Sequence, residues 1–181
     1  IKNNDPPKLK KVQTSLFKRA IFLFVIGLLY IPIWPADILH FYGIYMLLTF
    51  TLLTSGKRSI LAMAMMLIVA YPFIMLVWEY NVGWNFDTLE YPNFWSVEGF
   101  FRNLFYNGFH PVIPWAAFML VGFWFGKNDL NDPKFIKKSA VISFAILKFT
   151  VLLSLALLFI LSDGDAEVRN ELKQILGRSP M

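Results

Sequence analysis

Five stretches of this sequence are long, apolar and almost free of charge, and they restrict the fold more than any other feature. In chain order they are residues 20–36, 38–54, 60–78, 111–126 and 139–161. A helix needs about 20 predominantly apolar residues to cross the hydrocarbon core of a bilayer. The sequence therefore predicts an all-α, polytopic membrane bundle with about five transmembrane helices.

Composition excludes the main alternative, a soluble globular domain. Hydrophobic residues make up 57% of the chain and charged residues 16%, whereas soluble domains contain about 25% charged residues. The formal net charge of +5 lies in short segments between the apolar runs, as is typical of membrane proteins. We therefore expect a lipid bilayer as the partner, and no nucleic acid.

The positions of Lys and Arg predict the orientation. Residues 1–19 and the loops before the third and fifth runs are basic. The long segment 79–110, by contrast, has Arg102 as its only Lys or Arg. Cytoplasmic loops carry an excess of basic residues, so the N-terminal segment should be cytoplasmic, in a membrane such as the bacterial inner (plasma) membrane. The expected order is a basic cytoplasmic segment at 1–19, three spans within 20–78, an external aromatic loop at 79–110, two spans within 111–161 and an external tail at 162–181.

The first residue and the residue types that are present limit which kinds of site the sequence can form. The sequence begins at Ile1 rather than Met, so we expect residues 1–181 to be a single transmembrane domain that is a fragment of a longer protein. It contains no cysteine, which excludes disulfides and thiolate metal sites. It also lacks the paired spacing of metal ligands, and we expect neither a metal nor a bound cofactor.

The segment 79–110 is rich in aromatic residues and turn formers. The stretch from Ser96 to Tyr106 is expected to form a short interfacial helix, with Ser96 as its N-cap and Glu98 in its first turn. Aromatic rings with polar groups favour that depth in a membrane.

Polar side chains converge at the predicted outer face. Asp37 and His40 are three residues apart, so they share one face of the second span, and His110 begins the fourth. A histidine beside a carboxylate is held in one tautomer and becomes a stronger base. His110, His40 and Asp37 are therefore the catalytic candidates, although each histidine could instead be structural and Asp37 could cap its helix. Glu79 and Arg102 at the same face are candidates for substrate binding.

Other basic residues suggest contacts to anionic groups. Lys148 lies near the middle of the fifth span, where a charge should face the bundle interior or water and could contact substrate; the alternative is that it extends to the interface. Lys57, Arg58 and Lys127 lie at predicted cytoplasmic helix ends. They could hold the phosphates of a cytosolic donor, or they could only set the topology.

Two stretches resemble a known family. Residues 19–53 read RAIFLFVIGLLYIPIWPADILHFYGIYMLLTFTLL, and residues 107–127 read NGFHPVIPWAAFMLVGFWFGK. With Ile38-Leu39-His40-Phe41, His110-Pro111 and Pro114-Trp115, they resemble the membrane acyltransferase superfamily, in the branch related to heparan-alpha-glucosaminide N-acetyltransferase and its bacterial relatives of unknown function. Gly126-Lys127 replaces the usual Gly-Arg. Trp115, within the second motif, joins the substrate-binding candidates.

The resemblance implies a helical bundle that moves an acyl group from a thioester such as acetyl-CoA, as co-substrate, to a glycan hydroxyl or amine. It also implies that a histidine and basic residues of an earlier helix would precede Ile1. The leading hypothesis is a membrane-bound acyltransferase acting on a cell-envelope glycan. The alternatives are a transporter or flippase for a small anion or lipid-linked intermediate, and a non-catalytic membrane scaffold. A homo-oligomer is compatible with each hypothesis. Gly27, Gly43 and Gly122 are predicted to be points of close helix packing.

Overall fold

The computed structural model describes residues 6–162, and these residues are helical apart from their connections and one β-bridge between Asn85 and Glu90. The helices are α1 (Pro6–Tyr30), α2 (Leu39–Thr51), α3 (Lys57–Val77), α4 (Val97–Arg102), a π-helical turn (Asn103–Asn107), α5 (Val112–Gly126) and α6 (Pro133–Ser162). The all-α prediction is confirmed. The predicted external tail at 162–181 lies outside the described residues except for Ser162.

Each predicted span corresponds to a helix, but the helices differ in length. α1, α3 and α6 are long and apolar enough to cross a membrane. α2 has 13 residues and is therefore about 20 Å long, shorter than the ~30 Å hydrocarbon core. α5 is long enough to cross a membrane only when it is counted together with the preceding helical segment, Val97–Asn107. The axes of these two segments are bent by 48° relative to each other. The described residues thus contain three candidate spans, or four if the bent pair is one broken span.

Two of these helices begin earlier in the sequence than the apolar runs predicted. α1 begins at Pro6 and α6 at Pro133, so most of each basic segment is helical. Proline suits the first turn of a helix, because the N–H group that it lacks would have no partner there. The basic segment at 1–19 is therefore largely an extension of α1.

The chain divides into two compact units. Residues up to Asn128 form the first, and α6 belongs to the second, which begins at Asp129. In the first unit α1 packs along α2, α3 packs along α5, and α2 also contacts α5. The apolar core lies among α2, α3 and α5 and includes Phe41, Tyr45, Ile60, Ala64, Leu104, Ala116 and Leu120.

Glycines bring α1 and α2 into close contact. A Cβ at Gly27 would clash with the backbone N of His40 and lie 2.7 Å from Oδ2 of Asp37, and one at Gly43 would lie 2.7 Å from Cβ of Phe24. The predicted packing role is confirmed for these two. For Gly122 it stays a prediction, because within residues 6–128 nothing beyond its own helix backbone and chain neighbours lies within 4 Å of a Cβ built there.

Replacing Gly27 by alanine should therefore destabilise the protein, by about 1–3 kcal/mol as is typical of overpacking. Gly122→Ala is the matched control, and helix propensity alone predicts a gain of up to ~1 kcal/mol for it. Thermal unfolding of both variants in a neutral detergent measures the difference. Equal melting temperatures for the two would mean that α1 and α2 are not in this register.

Candidate functional site

Asp37 and His40 form a buried pair at the start of α2. Oδ2 of Asp37 accepts hydrogen bonds from Nδ1 of the His40 ring at 2.9 Å and from the backbone N–H of His40 at 3.2 Å. The two residues are 4% and 2% exposed. The cap position itself is Ile38, whose side chain cannot accept a hydrogen bond. The Asp37 carboxylate therefore does both things predicted for it, since it caps the first turn and orients the imidazole.

This contact determines which nitrogen of His40 is available for chemistry. A carboxylate only accepts hydrogen bonds, so Nδ1 carries the proton and Nε2 presents its lone pair. Nε2 is buried, and no described residue donates to it. The ring lies 3.9 Å from that of Phe41 and 6.1 Å, edge to face, from that of Phe94. An unpaired buried acceptor costs about 1–3 kcal/mol. Such groups are rare in folded proteins, and a catalytic role is one of the reasons for which they are kept.

His110 lies at the break between the π-helical turn and α5. Its carbonyl oxygen accepts a hydrogen bond of 2.6 Å from the hydroxyl of Tyr45 on α2. Its ring lies 6.4 Å from that of Phe41 and 5.2 Å from that of Trp115. Its Nδ1 is buried and has no partner among the described residues. Both histidine rings thus contact Phe41, and Trp115 completes this aromatic cluster.

The segment before His110 contains the predicted short helix. Ser96 is the N-cap of α4, and its Oγ accepts a hydrogen bond of 3.0 Å from the backbone N–H of Gly99. Glu98 lies in the first turn. The helix and its cap are confirmed, although the last residues of the predicted stretch continue as a π-helical turn.

Asn107 ends that turn and organises the aromatic segment at 79–110, a role that no sequence pattern indicated. Its side chain is fully buried, and Nδ2 donates to the carbonyl oxygens of Tyr80 at 2.8 Å and Val82 at 2.9 Å. Its Oδ1 accepts from the Tyr91 hydroxyl at 3.3 Å, and its carbonyl accepts from Nε1 of Trp84 at 2.6 Å. Burial raises the pKa of the Tyr91 phenol, which keeps it protonated as a donor.

Arg102 and Glu79 meet at the end of α3, but not as an ion pair. Nη2 of Arg102 donates to the backbone carbonyl of Glu79 at 2.9 Å. The guanidinium carbon lies 5.6 Å from the centre of the Trp78 ring and 6.0 Å from that of Tyr106. The structure thus places Arg102 against the aromatic residues at the end of α3.

The basic candidates for donor binding lie at the other end of α2. Nζ of Lys127 donates to the carbonyl oxygens of Leu53 at 3.0 Å and Ser55 at 2.6 Å, and burial lowers its pKa. Nζ of Lys57 donates to Oδ1 of Asn128 at 2.8 Å, and Arg58 is exposed. The structure brings these ends of α3 and α5 together, with Lys127 closing the connection after α2.

Lys148 lies on α6, in the second unit. It is exposed within that unit, and its ammonium group is 4.9 Å from the centre of the Phe144 ring. This contact covers part of the charge with an aromatic face.

Comparison with known proteins identifies the family. A family model described as the catalytic region of heparan-alpha-glucosaminide N-acetyltransferase matches residues 10–160, which include Asp37, His40 and His110. No curated protein and no solved structure gives a significant match. Because the matched region covers most of the sequence, the chain belongs to the family of heparan-alpha-glucosaminide N-acetyltransferase catalytic domains.

Proposed function

We propose that this protein is a membrane-bound acyltransferase that moves an acetyl group from acetyl-CoA to a glycan of the cell envelope. The observation that carries the proposal is the Asp37–His40 pair. Asp37 orients the imidazole, and Nε2 of His40 is a base without a partner among the described residues. Membership of an acetyltransferase family supports the reaction class. A bacterial inner membrane with the N-terminal segment in the cytoplasm is part of the same proposal.

In this proposal the histidine acts on the acceptor. Nε2 of His40 takes the proton from an acceptor hydroxyl or amine while the acceptor atom attacks the thioester carbonyl carbon. A carbon–oxygen or carbon–nitrogen bond forms, the carbon–sulfur bond breaks, and the thiolate leaves. The imidazolium returns the proton to the thiolate, so the products are the acylated acceptor and free CoA. Asp37 stabilises the transient imidazolium through Nδ1.

His110 and Trp115 form the acceptor side of the site. The hydrogen bond from Tyr45 fixes the backbone at His110 relative to α2, and the Trp115 ring lies beside the imidazole. A sugar ring packs well on an aromatic face because its C–H groups are apolar. The acceptor therefore binds near His110, on the same aromatic ring, Phe41, that contacts His40.

Lys57, Arg58 and Lys127 serve the donor. They lie beyond the C-terminal end of α2, whereas His40 lies at its N-terminal end. The 13 residues of α2 separate the two ends by about 20 Å. An extended acyl-CoA suits this separation, because its phosphates can stay at the basic end while its thioester reaches the histidines.

The direct test is acceptor-dependent release of CoA from acetyl-CoA by the purified protein, together with the variant His110→Ala. We expect the variant to lose acyl transfer while its expression and membrane insertion are unchanged. Gly122→Ala, which changes a position without near neighbours, should retain full activity. Full activity in His110→Ala would remove His110 from the mechanism.

The broken helix at 97–126 also supports a second candidate, a transporter. Discontinuous helices often form substrate sites in transporters, and the two parts of this one are bent by 48°. Uptake of a labelled anion into proteoliposomes, without release of CoA, would favour transport over acyl transfer.

A further inference from the structure

α4 and the π-helical turn pack against α1 and α3, the two helices of the first unit that are long and apolar enough to cross a membrane. The ring of Phe100 lies 6.5 Å, edge to face, from that of Phe24 on α1, and the ring of Tyr106 lies 6.2 Å from that of Tyr71 on α3. Phe24 and Tyr71 each precede the last residue of their helix by six positions, which is about 9 Å along a helix axis. In a bilayer that α1 and α3 span, these rings therefore lie at a depth that hydrocarbon reaches.

One face of this segment is apolar and exposed. Val97, Phe101 and Phe105 recur every four residues, which places them on one side of the helix, and the rings of Phe101 and Phe105 stack 6.1 Å apart. Val97 is 78% exposed, Phe101 54% and Phe105 37%, and the preceding Trp95 is 65% exposed. These four residues form an apolar stripe. The buried residues of the same segment are Gly99, Asn103, Leu104, Tyr106 and Asn107.

Ring contacts connect the apolar stripe with the His40 imidazole. The ring of Phe94 lies 6.1 Å from that of His40 and 5.0 Å from that of Trp95. Phe94 also lies 5.5 Å from Phe100, which lies 5.5 Å from Phe101. All four contacts are edge to face. The ring of Phe94 therefore bridges the proposed base and the exposed stripe.

His40 itself lies inside the end of α1. A Cβ on Gly27 would clash with the backbone N of His40, and Gly27 precedes the last residue of α1 by three positions, or about 4.5 Å along the axis. An acceptor without a lipid anchor would have to leave water to reach this depth. An acceptor that already lies in the bilayer would approach from the side.

The apolar stripe is continuous with a surface that faces lipid. The ring of Trp78, just after α3, lies 5.7 Å from that of Tyr106. Leu76 and Val77 beside it are 83% and 79% exposed, as expected where a spanning helix contacts hydrocarbon. We propose that the acceptor is a glycolipid, whose hydrocarbon chain lies on the stripe while its sugar reaches His40 and His110. This inference rests on the proposed function and adds that the acceptor is anchored in the membrane.

Thermal unfolding in phosphatidylcholine nanodiscs tests glycolipid binding without requiring turnover. Glucosyl and galactosyl diacylglycerol are the probes, and diacylglycerol and the two free sugars are the controls. We expect at least one glycolipid to raise the melting temperature of the wild-type protein, and the controls to have little effect. No response to either glycolipid, or an equal response to the free sugar, would overturn the proposal.

Substitutions on the stripe test where the hydrocarbon chain lies. Phe101→Gln places a polar group on the stripe, and its apparent affinity for the glycolipid should fall about tenfold or more, because the contact of one aromatic ring with hydrocarbon is lost. Phe22→Gln is the matched control, since Phe22 is 63% exposed on α1 and lies outside the stripe. It should bind the glycolipid as wild type does. Equal affinities in Phe101→Gln and Phe22→Gln would place the chain elsewhere and overturn the proposal.

A second pair of variants keeps the test decisive if Phe101→Gln folds poorly. Trp95→Leu keeps the stripe apolar and should bind the glycolipid nearly as well as wild type, whereas Trp95→Gln should bind it more weakly. The stripe could instead be covered by another protein chain. A change in oligomeric state in the two glutamine variants of the stripe, with an unchanged response to the glycolipid, would mean a protein interface and would overturn the proposal.

The acyl-transfer assay separates this inference from the proposed function. Phe101→Gln should raise KM for the glycolipid acceptor about tenfold, leave kcat nearly unchanged, and leave KM for the free sugar unchanged. Release of CoA with the free sugar as efficient as with the glycolipid would overturn the inference and leave the proposed function intact. Stripe-dependent glycolipid binding without any release of CoA would support the lipid site and count against only the proposed function.

Discussion

Replacing His40 by glutamine is expected to lower the rate of acyl transfer by about 10²- to 10⁴-fold, the usual contribution of a positioned general base. The imidazole is the only group of α2 that combines a bound carboxylate with an unpaired nitrogen among the described residues. Glutamine fits a similar space and can still hydrogen bond to Asp37, but it cannot take up a proton near neutral pH. The measurement is the rate of acceptor-dependent CoA release at saturating acetyl-CoA.

Asp37→Asn separates orientation from basicity in this pair. The asparagine carbonyl can still accept from the backbone N–H and from Nδ1 of His40, so the ring should stay in place. It no longer stabilises the imidazolium, and the rate should fall, though by less than in His40→Gln. An unchanged rate in both variants, with unchanged insertion and thermal stability, would show that the pair is structural and that the base lies elsewhere.

The sequence was most informative where a single residue type has one dominant physical preference. Apolar runs without charge indicated the helices, and Ser96 with Glu98 indicated the start of α4, because capping is a local interaction. The spacing of Asp37 and His40 indicated their contact, but the reason was different from the shared helix face that was expected: Asp37 precedes α2, and its side chain caps the first turn by accepting from the backbone N–H of His40. These predictions needed no knowledge of distant parts of the chain.

Features that depend on tertiary contacts were not predictable in the same way. Phe41 follows His40 in sequence, but it meets His110 only because α2 packs beside the break before α5. Gly27 and Gly122 look alike in sequence, but within residues 6–128 only Gly27 of the two faces a neighbouring helix. The length of α2 also differed from the prediction, because the apolar run continues past Thr51 while the helix does not.

Asn107 is the clearest case of a residue whose importance comes from the fold, and it leads to the largest expected effect on stability. Asn107→Leu keeps a side chain of similar size but removes the donors to the carbonyls of Tyr80 and Val82 and the acceptor for Tyr91. Each buried group left unpaired costs about 1–3 kcal/mol. The variant should therefore lose about 3 kcal/mol or more of unfolding free energy, which chemical unfolding in detergent would measure.

Two comparisons identify the cause of that loss. Asn81→Leu changes an exposed asparagine of the same segment and should leave stability within about 0.5 kcal/mol of wild type. Asn107→Asp keeps an acceptor for Tyr91 but directs a carboxylate at two carbonyl oxygens, so it should be at least as destabilising as Asn107→Leu if the donors matter most. The network also sets the backbone that leads to His110, so acyl transfer should fall in both Asn107 variants. Near-normal stability in Asn107→Asp would show that the amide donors do not hold the segment 79–110 together, and the position of His110 would then depend on Tyr45 instead.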